Sequence, residues 1–277
     1  MKKLICVLFL LLATPITFAE EVPVVSATEE ASAINEAVLI SDDWKIVPKV
    51  AKEDNPELSY TIKATYPQIE GQNLSTQALT FNKLVSNMAD QEVQQFKKYV
   101  AADMPHMQTL PTEMRNNSLQ IEYDIDVVKP GPKTLISVRL KVEGMQAGRA
   151  HPYHVHQVLN FDLSTGKVLT LNDLFKPKTK YLAIIANVAK QKLNEKLTDK
   201  WMIAEGTQPL AKNFKNWNLE NDGILITFDE YQVAPYASGA QEVEVSYADL
   251  KNMLSPRSVI YPCAQDPKSC SITKAKV

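Results

Sequence analysis

The residues Phe81, Leu84, Val85, Met88, Val93, Phe96 and Val100 constrain this chain more than any others. Their spacings of about three and four put them on one stripe of a helix, and an apolar stripe that long must be buried against another element. Ser75 or Thr76 supplies an N-cap, and Pro105 marks the stop. The flanking segments identify what the stripe covers. Leu58, Tyr60, Ile62, Ala64 and Tyr66 alternate with polar residues, as do Leu119, Ile121, Tyr123, Ile125 and Val127, and then Ile136, Val138, Leu140 and Val142. A period of two belongs to half-buried strands, so the helix lies on a sheet.

Turn chemistry orders these strands. Pro67 and Gly71 end the first, and Lys129-Pro130-Gly131-Pro132 links the next two as a hairpin, because two prolines and a glycine do not continue a ladder. Residues 154–162 form a further strand that turns through Ser164-Thr165-Gly166-Lys167 into Val168. That turn is no phosphate cradle: the motif needs a glycine five positions before the Gly-Lys pair, where Phe161 stands. Leu182, Ile185, Ala186, Ala189, Leu193 and Leu197 mark a second helix, followed by short strands around residues 214–219, 224–228 and 243–247. The expected fold class is α+β, with mainly antiparallel sheets each covered by a long helix. Residues 43–146 and 147–254 read as two tandem modules, either separate or sharing one body, divided near Gly144 to Arg149.

Export is written at the N-terminus. Lys2 and Lys3 precede an apolar run over residues 4–13, and Thr17 and Ala19 suit cleavage before Glu20, the grammar of a signal peptide over residues 1–19. The run is about half of the roughly 20 residues a membrane-spanning helix needs, and Cys6 has no lipobox ahead of it. A periplasmic or secreted protein without a stable membrane anchor is expected, with residues 20–42 as a flexible leader. Cys263 and Cys270 are then the only remaining thiols, and in an oxidising compartment the pair reads as a disulfide pinning a tail over residues 255–277. Removing residues 1–19 takes away two lysines and no acid, so the net charge of −2 becomes −4. This balance argues against nucleic acid as a partner.

Three of the four histidines cluster at His151, His154 and His156. On a strand His154 and His156 share a face about 6–7 Å apart, close enough for one zinc ion if a third ligand joined them. The alternative is that they line a polar sheet face opposite Tyr153, Val155, Leu159 and Phe161. Thr227-Phe228-Asp229-Glu230 resembles the stretch that opens the catalytic motif of polysaccharide deacetylases. That chemistry also needs an H-x-x-x-H pair downstream, whereas every histidine here lies upstream, so Asp229 and Glu230 read as exposed strand-end residues. No G-x-S-x-G, H-E-x-x-H or activated cysteine is present. Tyr231, Gln232 and Tyr236 set aromatic and amide groups side by side, as in glycan-stacking surfaces and protein hot spots. Phe214 and Trp217 read as core.

His151-Pro152-Tyr153, Asn160-Phe161-Asp162-Leu163, Leu171-Asn172-Asp173-Leu174-Phe175 and Tyr231-Gln232-Val233-Ala234-Pro235-Tyr236-Ala237 together carry a family likeness. They resemble the extracytoplasmic domain family shared by the lysozyme-sensing anti-sigma factor RsiV and the N-terminal part of the peptidoglycan deacetylase PdaC. The helix around residues 81–100 and the strand before it resemble the smaller PdaC-type module. The resemblance implies an α+β body without an established catalytic role, which binds lysozyme in one relative and accompanies a catalytic domain in another. The expected function is therefore a non-catalytic binding module, with no cofactor, for a cell-wall glycan or a lysozyme-like protein. Its expected ligand-binding residues are His151, Tyr153, His154, His156, Tyr231, Gln232 and Tyr236. The rival is a metal-dependent hydrolase using the histidine cluster, with His154 and His156 as metal ligands.

Overall fold

In a computed structural model describing residues 37–276, a two-residue strand β1 (Val38–Leu39) precedes a long hairpin of β2 (Trp44–Asn55) and β3 (Tyr60–Gly71). β1 pairs with β2, so Val38 and Leu39, expected in the leader, belong to the sheet. The expected signal peptide and the leader up to residue 36 lie outside the described residues. Pro67 does not end its strand. It stands opposite Pro48 in register, so the two residues lacking an N–H face each other and the ladder runs on to Gly71.

Helix α1 (Thr76–Met107) is capped by Ser75, whose hydroxyl accepts from the Ala78 N–H at 3.1 Å. It passes through the expected stop at Pro105, because a proline in the last turn costs one backbone bond while Met107, 2% exposed, anchors the end in the core. Its 32 residues span about 48 Å. That length returns the chain to the start of β3, so β4 (Asn117–Pro130) pairs parallel to β3, from Tyr60 opposite Asn117 to Ala64 opposite Ile121. β5 (Leu135–Met145), β6 (Tyr153–Asp162) and β7 (Lys167–Val168) then add antiparallel strands in sequence order.

Alternation along β4, β5 and β6 gives the sheet two different faces. Phe81, Val85, Ala89, Phe96 and Val100 of α1 bury themselves on Leu119, Ile121, Tyr123, Val138, Leu140 and Phe161. The rings of Phe81 and Phe161 lie 5.7 Å apart. The opposite face meets a second layer built from α2 (Tyr181–Lys196), α3 (Lys200–Gly206), β8 (Trp217–Leu219), β9 (Gly223–Phe228) and β10 (Gln241–Ser246), the three strands forming a small antiparallel sheet. Phe214, expected in a strand, closes a 3-10 turn (Ala211–Phe214) instead, and both it and Trp217 are buried. α2 presents Ile185, Ala189 and Leu193 to Ile224, Ile226, Val243 and Val245, a core that also reaches Val128 and Leu135 of the large sheet.

Elsewhere between the two sheets the contact is polar. Ser137 donates to Asn160 Oδ1 at 2.7 Å and accepts from Asn218 Nδ2 at 2.9 Å and the Leu219 N–H at 3.0 Å. Arg139, with its side chain only 7% exposed, holds Asp124 at 2.6 Å, Glu242 at 2.5 Å and Thr227 Oγ1 at 2.7 Å, so one guanidinium ties β4, β9 and β10 together. Burial alone raises the Asp124 carboxyl, but Arg139 and Lys141 outweigh it and hold that group below the usual range.

The tail is a strand. After α4 (Tyr247–Leu250) and α5 (Tyr261–Gln265), β11 (Cys270–Lys276) pairs antiparallel with β4 from Asp124 to Pro130, just beyond where β3 leaves it. The Cys263–Cys270 disulfide, with Cα atoms 5.3 Å apart, fixes the first residue of β11 to α5. The described residues form one compact unit. No helix among them is long and apolar enough to cross a membrane.

Candidate functional site

The sheet positions the histidines, and a loop from the other layer completes the site. His154 stands opposite Glu143, and His156 opposite Lys141, across the β5–β6 ladder. His154 Nε2 lies 3.1 Å from Glu143 Oε2. The loop after β9 supplies two more acids. Asp229 Oδ1 lies 2.8 Å from His156 Nδ1, and Asp229 Oδ2 accepts from Asn216 Nδ2 at 2.9 Å. Glu230 Oε1 approaches His154 Nδ1 at 2.8 Å, outside hydrogen-bond angles. Asp229 and Glu230 are thus not exposed: their side chains are 18% and 10% accessible, because the second layer folds its strand end over the histidine face. Burial pushes the Asp229 carboxyl up, and His156, Asn216 and Lys215 together bring it below its ordinary value.

The same loop builds an aromatic platform. Val233 and Ala234 are buried, and Gln232 turns inward to donate to the carbonyls of Asn213 at 2.8 Å and Gly206 at 3.3 Å. A Cβ on Gly206 would come within 2.0 Å of the Gln232 carbonyl, so this glycine lets α3 meet the loop. The anchors leave Tyr231 59% exposed, at a positive φ of 63°. The Tyr236 ring stacks on His151 at 3.8 Å and 27°, with Tyr231 5.9 Å and His154 6.1 Å away. Beside the platform lies a cleft of about 280 Å³ whose charged lining is Glu122, Lys141, Glu143, His154, His156 and Glu230. It is small for a drug-sized molecule and suits a side chain or one sugar ring.

The expected ligand residues therefore divide. His151, His154, His156, Tyr231 and Tyr236 come together on this side. Tyr153 lies on the other face of β6, with its ring over Gly144, where a Cβ would meet it at 2.2 Å. Gln232 is occupied in holding the loop. Glu122, Glu143, Asp229 and Glu230 belong to the site without having been singled out as ligands. Glu143 enters through the β5–β6 pairing across the connection over residues 146–152, a register that no local sequence pattern sets. As for metal, the carboxylates reach different nitrogens of the His154 ring, and among the described residues no three His, Cys, Asp or Glu side chains converge as ligands.

Architecture and site together describe an α+β domain with aromatic and acidic side chains gathered on one face. Residues 172–248, running from before α2 into α4, match the family model described as "Protein of unknown function (DUF3298)". The chain is similar to peptidoglycan-N-acetylmuramic acid deacetylase PdaC of Bacillus subtilis, 26% identical over 215 residues that cover 76% of this chain and 42% of PdaC. It is also similar to anti-sigma-V factor RsiV of the same organism, 24% identical over 211 residues, 73% of this chain and 68% of RsiV. Immunogenic protein MPT64 of Mycobacterium tuberculosis is 25% identical over 124 residues, 45% of this chain and 54% of MPT64. A solved DUF3298 structure from Bacteroides fragilis shares the fold at a TM-score of 0.56 and 16% identity, covering 82% of this chain and 98% of that one. The likeness to the domain shared by PdaC and RsiV thus holds, and the chain spans less than half the length of PdaC.

Proposed function

We propose that this chain is a periplasmic or secreted, non-catalytic binding module for a cell-envelope ligand, either a peptidoglycan fragment or a lysozyme-like protein. The carrying observation is the platform of Tyr231, Tyr236 and His151, held out by the buried Val233 and Ala234 beside a cleft that contains Glu122, Glu143 and Glu230. Exposed aromatic rings cost little ordering entropy and suit both sugar faces and protein hot spots, while clustered carboxylates favour a cationic partner surface. The similarity to PdaC and RsiV supports the envelope as the setting.

Calorimetry and pull-down with lysozyme and with soluble peptidoglycan fragments test the reading. Binding of one of them, weakened at least tenfold in Tyr236→Ala, is the expected result. Absence of binding to both at high-micromolar concentration rejects both ligands.

A further inference from the structure

Among the described residues, the outer edge of β6 is unpaired over most of its length. β5 occupies one side of β6 from Tyr153 to Asp162, whereas β7 meets the other side only at Phe161 and Asp162. The Leu169 N–H donates to the Asn160 carbonyl at 2.7 Å, which fixes the parity of the strand. In an antiparallel ladder alternate residues turn both backbone groups to the same side, so His154, His156 and Val158 point theirs away from β5, as Asn160 does. No described residue hydrogen-bonds to the N–H or C=O of these three. Exposed edges are ordinarily covered, charged, bulged or kept very short. This one is a regular run.

The edge also forms the floor of a groove. On the α1 side it is bounded by Glu92, Gln95 and Tyr99 together with Tyr153, and on the opposite side by Lys215. Val158 and Asn160 carry the same floor onward past Lys215 toward Trp217. Glu92 is a half-buried carboxylate whose partner among the described residues is the Gln157 amide, and burial raises its pKa. A cation arriving over it would sit near the aromatic rings of Tyr99 and Tyr153, the surroundings that favour lysine or arginine.

We infer that the β6 edge is a strand-addition site that accepts an extended segment of a partner protein carrying a lysine or arginine over Glu92. The outward groups of His154, His156 and Val158 recur at every second residue, about 6–7 Å apart. An extended backbone satisfies such a row in series, and this mode of recognition combines main-chain bonding with side-chain pockets on either flank. The proposal does not depend on the Tyr231 and Tyr236 platform.

A displayed library of random nine-residue peptides, panned on the full-length oxidised protein, provides the probe, and recovered sequences are then synthesised. The expected peptides share one Lys or Arg and slow amide exchange at His154, His156 and Val158 by at least tenfold, leaving the amides already bonded to β5 unchanged. Val158→Pro removes an outward N–H that no described residue uses, and it should weaken binding at least tenfold while the thermal midpoint is kept. Glu92→Gln should abolish the preference for Lys or Arg over norleucine. If Val158→Pro fails to fold, the exchange data on the unaltered protein decide. Three outcomes overturn the proposal: no enriched peptide, binding that leaves the three amides unprotected, or sedimentation showing that a second copy of the chain occupies the edge. In the second outcome, loss of peptide binding in Tyr236→Ala assigns the peptides to the platform.

Discussion

Replacing Asp126 by asparagine should make the protein more stable at pH 8 than at pH 4 relative to the unaltered chain, and the structure gives the size of the effect. Asp126 lies on β4 directly across from Lys274 of β11, with its side chain only 11% exposed. Its pKa is pushed up to about 7, first by burial and then by Glu220, with Lys274 opposing. Lys274 compensates weakly because its ammonium is 3.7 Å from Asp126 but in direct contact with Glu220. The rise from an ordinary 3.8 to about 7 corresponds to roughly 4 kcal/mol at 1.36 kcal/mol per unit. The folded carboxyl binds its proton more tightly than the unfolded one. The folded state is therefore favoured by this group below about pH 4, and that advantage is lost as pH rises to about 7 and stays lost above it. Asparagine does not ionise, so the unfolding free energy of Asp126→Asn minus that of the unaltered protein should grow by about 4 kcal/mol between pH 4 and pH 8. Urea unfolding at unit pH intervals under oxidising conditions measures it. Any fixed cost of the new amide cancels in the pH difference. A difference that stays flat across this range would refute the assignment of a raised pKa to Asp126.

Further predictions concern the joints of the fold and the site. Arg139→Ala leaves Asp124 buried without its main partner and should cost about 3–5 kcal/mol by urea unfolding; a loss under 1 kcal/mol would show that the two layers do not depend on this guanidinium. Changing Cys263 and Cys270 together to serine should lower stability by about 2.5 kcal/mol, the entropy of so short a loop, and speed amide exchange along β11 before the rest of β4. Unchanged exchange there would mean that backbone pairing alone holds the strand. Gly206→Ala should cost about 1–3 kcal/mol by overpacking, because the added methyl meets the Gln232 carbonyl. The same change should weaken ligand binding by displacing Tyr231 and Tyr236, and wild-type stability in this variant would contradict the contact.

How far the site could be read ahead depends on the range of each signal. The α1 stripe, the strand alternation and the Cys263–Cys270 pair were legible because each is a local pattern. The loop motif at residues 231–237 was visible as a motif, but not the division of labour within it. Nothing in Gln232 announces that its amide faces two carbonyls while its neighbour Tyr231 faces solvent.

The sequence by itself determined the helices α1 and α2, the alternating strands β3 to β6 and the apolar face of each, and that His154 and His156 share a side. The tertiary structure alone decided that Asp229 and Glu230, some seventy residues later in the chain, close over those histidines, and that the tail re-enters as β11 beside β4. Periodicity reports only what neighbours along the chain must bury, which is a local free-energy preference. Register, layer order and strand adjacency follow from which distant surfaces bury the most apolar area while satisfying their polar groups, and that competition is resolved only when the whole chain packs.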